Sequence, residues 1–168
     1  MKKIAMVIAQ DKFRDEELSE PRIVFEKAGF QVSVVSTTTG TAKGMFGMTV
    51  TPDVQFRDVK PEDFDALVFV GGVGASQYWD DPLAHKMLWD FSSAGKLIAA
   101  ICVSPVTMAK AGLLKGKKAT VWASDSGQLL VCGARYTGNP VERDGNIITG
   151  AGPFAAKEFG EAIVKALA

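Results

Sequence analysis

The stretch Leu97-Ile98-Ala99-Ala100-Ile101-Cys102-Val103-Ser104-Pro105 decides the fold of this chain. Its first five residues are apolar and predict a buried strand. Ser104-Pro105 is typical of the start of a helix, where a proline needs no N–H group. Cys102 is therefore predicted on a tight turn at the top of a sheet. We expect the first N–H groups and the dipole of the following helix to favour its thiolate.

Outward from this turn, strands and helices alternate along the chain. The predicted strands cover residues 3–9, 31–36, 66–70, 97–101 and 118–122, with hairpins at 45–51 and 141–149. The predicted helices cover residues 16–28, 82–94, 104–111 and 154–168, with a weaker one at 124–132. Short apolar strands that alternate with helices indicate a mostly parallel sheet covered on both faces. Ligand sites in such folds lie at the carboxyl ends of strands.

Composition limits the classes of function. The chain has 168 residues, which suits one domain over residues 1–168. Lys and Arg number 19 and Asp and Glu number 19, so no basic excess favours nucleic acid as a partner. No apolar run is long enough for a membrane span, and the apolar N-terminus is interpreted as a first strand. Only two cysteines, Cys102 and Cys132, indicate a reducing cytoplasm rather than a disulfide scaffold.

Cys102 is the principal candidate for chemistry. The alternative is a small buried core cysteine, which is the usual fate of a free thiol. The Gly71-Gly72 turn ends a neighbouring predicted strand. A bare backbone N–H from that turn, together with the N–H of Val103, would make a two-donor oxyanion site beside the thiol.

The acidic run Asp15-Glu16-Glu17 offers a partner for the thiol, although Asp15 and Glu16 also suit a solvated first helical turn. An ionised carboxylate raises the pKa of a nearby thiol, whereas a protonated one can donate to the thiolate and lower it. A coupled pair would share one proton. His85 is the only histidine, and we interpret it as a surface helix residue. No ligand cluster predicts a metal, and no glycine-rich motif predicts a nucleotide, so no cofactor is expected.

Five segments spread over nearly the whole chain carry a resemblance to a known family. They are Glu17-x-x-x-Pro21, Val50-Thr51-Pro52-Asp53 with Asp58-Val59, Phe64-Asp65-Ala66-Leu67-Val68-Phe69-Val70-Gly71-Gly72, Ala100-Ile101-Cys102-Val103-Ser104-Pro105, and Val141-Glu142-Arg143-Asp144-Gly145-Asn146-Ile147-Ile148-Thr149. In these segments the chain resembles the ThiJ/PfpI superfamily. That group includes redox-stress proteins, intracellular peptidases and glutathione-independent glyoxalases.

The resemblance implies a flavodoxin-like three-layer α/β sandwich with a mostly parallel sheet and a nucleophile-elbow cysteine. It implies that a partly buried Glu17 contacts Cys102 and that the N–H groups of Gly72 and Val103 form an oxyanion site. It also implies a homodimer. This chain departs from the family at the position after the cysteine, where peptidase-like members carry histidine and Val103 stands here. The separate histidine of the redox-stress members corresponds to Trp122 or its neighbourhood.

Three functions follow as hypotheses. Cys102 attacks a small reactive carbonyl compound, with Glu17 shuttling the proton. Alternatively, Cys102 is oxidised and the protein is a redox sensor in a stress response. In the third hypothesis the chain is a binding module without catalysis. Peptidase activity is disfavoured because Val103 replaces the expected histidine.

Overall fold

A seven-stranded sheet forms the centre of the computed structural model, which describes residues 1–168. The strands in chain order are β1 (Lys3–Val7), β2 (Asp11–Phe13), β3 (Gln31–Ser36), β4 (Ala42–Gly44), β5 (Thr49–Val50), β6 (Val54–Gln55), β7 (Ala66–Phe69), β8 (Leu97–Ile101), β9 (Lys118–Ala119), β10 (Arg135–Tyr136), β11 (Val141–Asp144) and β12 (Ile147–Gly150). The central sheet has the order β11-β12-β8-β7-β1-β3-β6. Every neighbouring pair is parallel except the β11–β12 hairpin.

Helices cover both faces of this sheet. They are α1 (Asp15–Lys27), α2 (Pro82–Ser93), α3 (Pro105–Lys110), α4 (Ser126–Val131) and α5 (Ala156–Leu167). Apolar residues of α1 and α5 form one buried core with the sheet, and those of α2, α3 and α4 form a second core. The predicted three-layer sandwich with a mostly parallel sheet is therefore confirmed. None of these helices combines the length and the apolar composition that crossing a bilayer requires.

The order of the parallel strands positions the candidate site. From β1 the chain goes first to β3 on one side and then to β7 and β8 on the other. The loops after β1 and β7 therefore diverge, and a crevice opens at this edge of the sheet. The loop that leads to α1, the Gly71-Gly72 turn after β7 and Cys102 after β8 all lie at this edge.

Several predicted elements differ from the observed ones. The predicted strand at 118–122 is reduced to β9, which pairs with β10 outside the central sheet. Beyond β9 the backbone bonds to other partners: the N–H of Thr120 donates to Oγ1 of Thr149 at 2.9 Å, and the N–H of Trp122 donates to the carbonyl of Cys102 at 2.8 Å. A small sheet of β2, β4 and β5 was not predicted in full, because its strands are only two or three residues long.

Helices α1 and α5 approach each other closely at Gly160. A Cβ atom at this position would lie 2.9 Å from Cα of Pro21 and 3.3 Å from Cβ of Val24. Backbone atoms cannot move away as a flexible side chain can, so a side chain at this position would separate the two helices.

We predict that Gly160→Ala lowers the free energy of unfolding by about 1–3 kcal/mol, because overpacking outweighs the gain in helix propensity. Gly127→Ala is the matched control, since it also replaces a helical glycine but its Cβ would meet nothing within 4 Å. The control should gain about 0.4–1 kcal/mol. Urea unfolding of both variants measures the difference, and an equal gain in both would contradict the close contact.

Candidate functional site

The backbone at Cys102 has an unusual conformation. Its φ angle is +64°, a region that non-glycine residues rarely adopt. External hydrogen bonds hold the residue there: its N–H donates to the carbonyl of Gly150 at 2.9 Å, and its carbonyl accepts from the N–H of Trp122 at 2.8 Å. The buried hydroxyl of Ser104 donates to the carbonyl of Val70 at 2.9 Å. These bonds connect the turn to β12 and to the residue that follows β7, so the surrounding structure maintains the strained conformation.

Gly71 allows the carboxyl of Glu17 to approach Cys102. A Cβ atom at this position would lie 2.5 Å from Cβ of Cys102 and would also collide with Oε1 of Glu17. The carbonyl of Gly71 accepts from the N–H of Arg14 at 2.9 Å, which connects the β7 turn to the residue before α1. The absent side chain of Gly71 thus leaves the space in which the carboxyl and the thiol meet.

Glu17 lies in the first turn of α1 and is completely buried. The thiol of Cys102 and the N–H of Gly71 interact with its carboxyl, but neither carboxyl oxygen has a hydrogen-bond partner of ordinary geometry. Burial is the largest influence and raises the pKa of Glu17 to about 8. The carboxyl is therefore mainly protonated at neutral pH and can act as a donor.

Cys102 is 8% exposed, and burial raises the pKa of its thiol to about 12, with the charge of an ionised Glu17 as the second cause. The N–H groups of Gly72 and Val103 contact the sulfur and lower the pKa. The N–H of Val103 thus acts in the expected direction, but burial of the thiol outweighs it, so the predicted net shift of the pKa toward the thiolate is not met. While Glu17 holds its proton its charge is absent, and its O–H can donate to a thiolate.

A cavity of about 240 Å³ opens beside the sulfur. Mainly apolar side chains and the backbone of the two turns line it: Arg14, Met45, Gly72, Val73, Cys102, Val103 and Trp122. Arg14 is its one charged residue. The guanidinium forms an ion pair with Glu16 at 2.9 Å and lies over the ring of Phe46, 4.6 Å from its centroid. The cavity therefore suits a small molecule with an apolar substituent.

Asp15 departs from the sequence interpretation, in which a solvated first turn accounted for it. Its side chain is buried and accepts from the N–H groups of Phe46 and Met48, at 3.2 and 3.0 Å. Gly44 provides room for this carboxylate, because a Cβ atom there would collide with it. Asp15 thereby fixes the β4–β5 hairpin, and with it Met45, at the wall of the cavity.

The remaining candidates lie elsewhere. Nε2 of His85 is 2.7 Å from the carbonyl of Trp79, and His85 is not among the residues that line the cavity. Cys132 directly follows α4, is half-buried and packs against the other core. No group of three or more His, Cys, Asp or Glu side chains is arranged to hold a metal ion.

The structure brings Cys102, Glu17, Gly72 and Val103 together as the sequence predicts, whereas Arg14 and Met45, which also line the cavity, were not among the predicted site residues. Arg14 directly precedes the acidic run Asp15-Glu16-Glu17, so its location near the site could have been predicted from the sequence. Met45 had no such signal, because the buried carboxylate of Asp15 that fixes its hairpin is visible only in three dimensions.

Comparison with known proteins shows which family the chain belongs to. The family model described as DJ-1/PfpI family matches residues 2–166. An uncharacterized protein of Methanocaldococcus jannaschii is 45% identical over 98% of this chain and 82% of its own length. A deglycase of Pyrococcus abyssi is 30% identical over 88% of this chain and 89% of its own length. The crystal structure of a ThiJ/PfpI domain protein from Brachyspira murdochii superposes with a TM-score of 0.96 at 35% identity, covering 98% of this chain and 95% of that one. The chain therefore belongs to the DJ-1/PfpI family.

Proposed function

We propose that the protein uses Cys102 to act on small reactive carbonyl compounds. The observation that supports this most directly is the set of groups around the thiol of Cys102. The carboxyl of buried Glu17 and the N–H groups of Gly72 and Val103 each interact with the thiol, and Cys102, Gly72 and Val103 line the cavity. Relatives named as deglycases, such as the Pyrococcus abyssi protein, support a family-level activity of this kind.

The chemical step is an addition. Below a pH of about 8, Cys102 and the protonated Glu17 together hold at least one transferable proton. The sulfur forms a bond to the carbonyl carbon as its S–H bond breaks, and the π electron pair of the C=O bond moves to the oxygen. The N–H groups of Gly72 and Val103 stabilise the developing oxyanion, and Glu17 passes its proton to that oxygen and takes up the thiol proton in exchange. The product is a hemithioacetal on Cys102.

The side chains around the cavity define what it accepts. A cavity of about 240 Å³ is large enough for a short aldehyde or glyoxal. Val103 stands where peptidase-like members carry histidine, and Trp122 supplies an indole at the other candidate position. General acid–base chemistry therefore falls to Glu17 or to water, which favours carbonyl addition over hydrolysis of a peptide bond.

A second function, redox sensing, has one specific observation in its favour. The donors that would hold an oxyanion can also hold the oxygen of a cysteine sulfenate, because both carry negative charge on an oxygen next to the sulfur. With peroxide, the sulfur attacks one oxygen as its S–H bond breaks and the O–O bond breaks; Glu17 protonates the departing hydroxide to give water and takes up the thiol proton. Sulfur is oxidised and peroxide is reduced.

We predict that Cys102→Ser lowers turnover of methylglyoxal by about a hundredfold or more, since removal of a nucleophile eliminates most of the rate enhancement. Cys132→Ser is the matched control and should retain wild-type turnover, because Cys132 lies outside the cavity. Loss of methylglyoxal over time, measured for the three proteins, decides the matter. Equal turnover in wild type and Cys102→Ser would contradict the proposal.

The buried carboxyl predicts a pH dependence of stability. The pKa of Glu17 rises from an ordinary 4.5 to about 8 on folding, so between these values the folded state holds a proton that the unfolded state has lost. The contribution of this proton to the free energy of unfolding is fully present below pH 4.5 and decreases as pH rises. The decrease is about 1.4 kcal/mol per pH unit where Glu17 is protonated in the folded state and ionised in the unfolded state. Glu17→Gln removes this slope between about pH 5 and 8.

The control for this measurement is Glu20→Gln, which neutralises an exposed carboxylate on the same helix and should keep the wild-type slope. Urea unfolding at several pH values provides the slopes. If wild type and Glu17→Gln lose stability equally between pH 5 and 8, Glu17 does not carry a proton in the folded protein.

The redox alternative predicts the order in which the two cysteines react with peroxide. One or two oxygen atoms should add to Cys102 before Cys132, although Cys132 is the less buried of the two. Mass spectrometry of tryptic peptides after a peroxide titration identifies the site. Oxidation of Cys132 first would overturn this function and leave carbonyl chemistry as the surviving candidate.

A further inference from the structure

The indole of Trp79 connects the two turns that carry the proposed oxyanion donors. Its Nε1–H group donates to the carbonyl of Val103 at 3.0 Å. Val103 directly follows Cys102, and its own N–H contacts the sulfur. Trp79 directly follows the short 3₁₀ segment Val73–Tyr78, which Gly72 precedes. The segment Val73–Tyr78 therefore begins next to Gly72, one proposed donor, and leads into Trp79. The indole of Trp79 in turn binds Val103, the other proposed donor.

Both ends of this connection are anchored. The buried hydroxyl of Tyr78 donates to the carbonyl of Ile8 at 2.8 Å, which fixes the segment to the residue after β1. The carbonyl of Trp79 lies 2.7 Å from Nε2 of His85. Because a carbonyl oxygen only accepts, Nε2 carries the hydrogen in this bond. His85, which takes no part in the cavity, thus holds Trp79 in place from α2.

The bond from Trp79 to Val103 adds to the others that hold the turn around Cys102, among them the bond from the N–H of Ser104 to the carbonyl of Ile101 at 3.1 Å. The carbonyl of Val103 also accepts from the N–H of Val106 at 3.2 Å, the first turn of a helix only six residues long. A carbonyl oxygen has two lone pairs, and the indole occupies the second. The two proposed donors come from the ends of different strands, β7 and β8, so their spacing depends on the contacts between those ends: the bond from Ser104 to Val70 is one, and the indole bond of Trp79 is another.

We propose that Trp79 is a positioning residue for the Cys102 site. Its indole N–H fixes the backbone of Val103 and thereby sets the distance between the N–H groups of Val103 and Gly72. Trp79 contacts the reacting atoms only through Val103, so it has no direct chemical role. The inference rests on the proposed function, because it assigns these N–H groups to the oxyanion.

The test compares Trp79→Phe with Trp89→Phe. Each change keeps an aromatic ring and removes one indole hydrogen bond to a backbone carbonyl; the bond of Trp89 goes to Ala111 at 2.7 Å, away from the cavity. For Trp79→Phe we expect kcat for methylglyoxal to fall about tenfold or more with KM within about twofold, since misplaced catalytic groups act on the transition state. Trp89→Phe should match wild type.

The pH profile of Cys102 alkylation by iodoacetamide is the second readout. We expect Trp79→Phe to need a higher pH than wild type for the same alkylation rate, because a displaced Val103 N–H no longer stabilises the thiolate. Trp89→Phe should follow the wild-type profile. If the two variants behave alike in both readouts, the positioning role is overturned. If wild type does not turn over methylglyoxal, the proposed function fails, whereas the alkylation profile still decides on Trp79.

A measurement on the unmodified protein covers the case in which Trp79→Phe does not fold. In NMR spectra, the chemical shift of the Trp79 indole N–H should change when iodoacetamide alkylates Cys102, because the added group alters the surroundings of Val103, to which this indole is hydrogen-bonded. The resonance of Trp89 should stay in place. An unmoved Trp79 resonance would overturn the inference.

Discussion

The contact between the carboxyl of Glu17 and the thiol of Cys102 is the constraint on which the rest of the site depends. A completely buried carboxyl without an ordinary hydrogen-bond partner is costly to ionise, so it keeps its proton up to a pH of about 8. That proton turns a group that would repel a thiolate into one that can stabilise it. The protonation of Cys102 therefore depends on the burial of another residue.

This contact requires the turn after β7, the turn after β8 and the first turn of α1 to meet. Gly71 leaves out the side chain that would block the approach, and the positive φ angle of Cys102 directs its thiol into the resulting space. Cys102 donates to Gly150 and accepts from Trp122, and Ser104 donates to Val70; these bonds hold that angle against its conformational strain. We therefore expect that a distant substitution that weakens one of these hydrogen bonds also shifts the position of the sulfur.

The sequence alone predicts the part of this arrangement that local patterns encode. The apolar run before Cys102 and the proline after it predict the strand, the turn and the helix, and the family resemblance implies Glu17 as the partner. What could not be predicted arises from contacts between distant segments. Asp15 resembles an ordinary first-turn carboxylate, yet it is buried because two N–H groups of the β4–β5 hairpin converge on it. The direction of the thiol pKa likewise depends on burial, which no local pattern reports.

The main chain and the side chain of Trp122 have different roles at the site. Its main-chain N–H holds the carbonyl of Cys102, while its indole forms a wall of the cavity. Any residue except proline can supply the same main-chain bond. A substitution at this position therefore changes the wall of the cavity while the main-chain bond that holds the carbonyl of Cys102 remains.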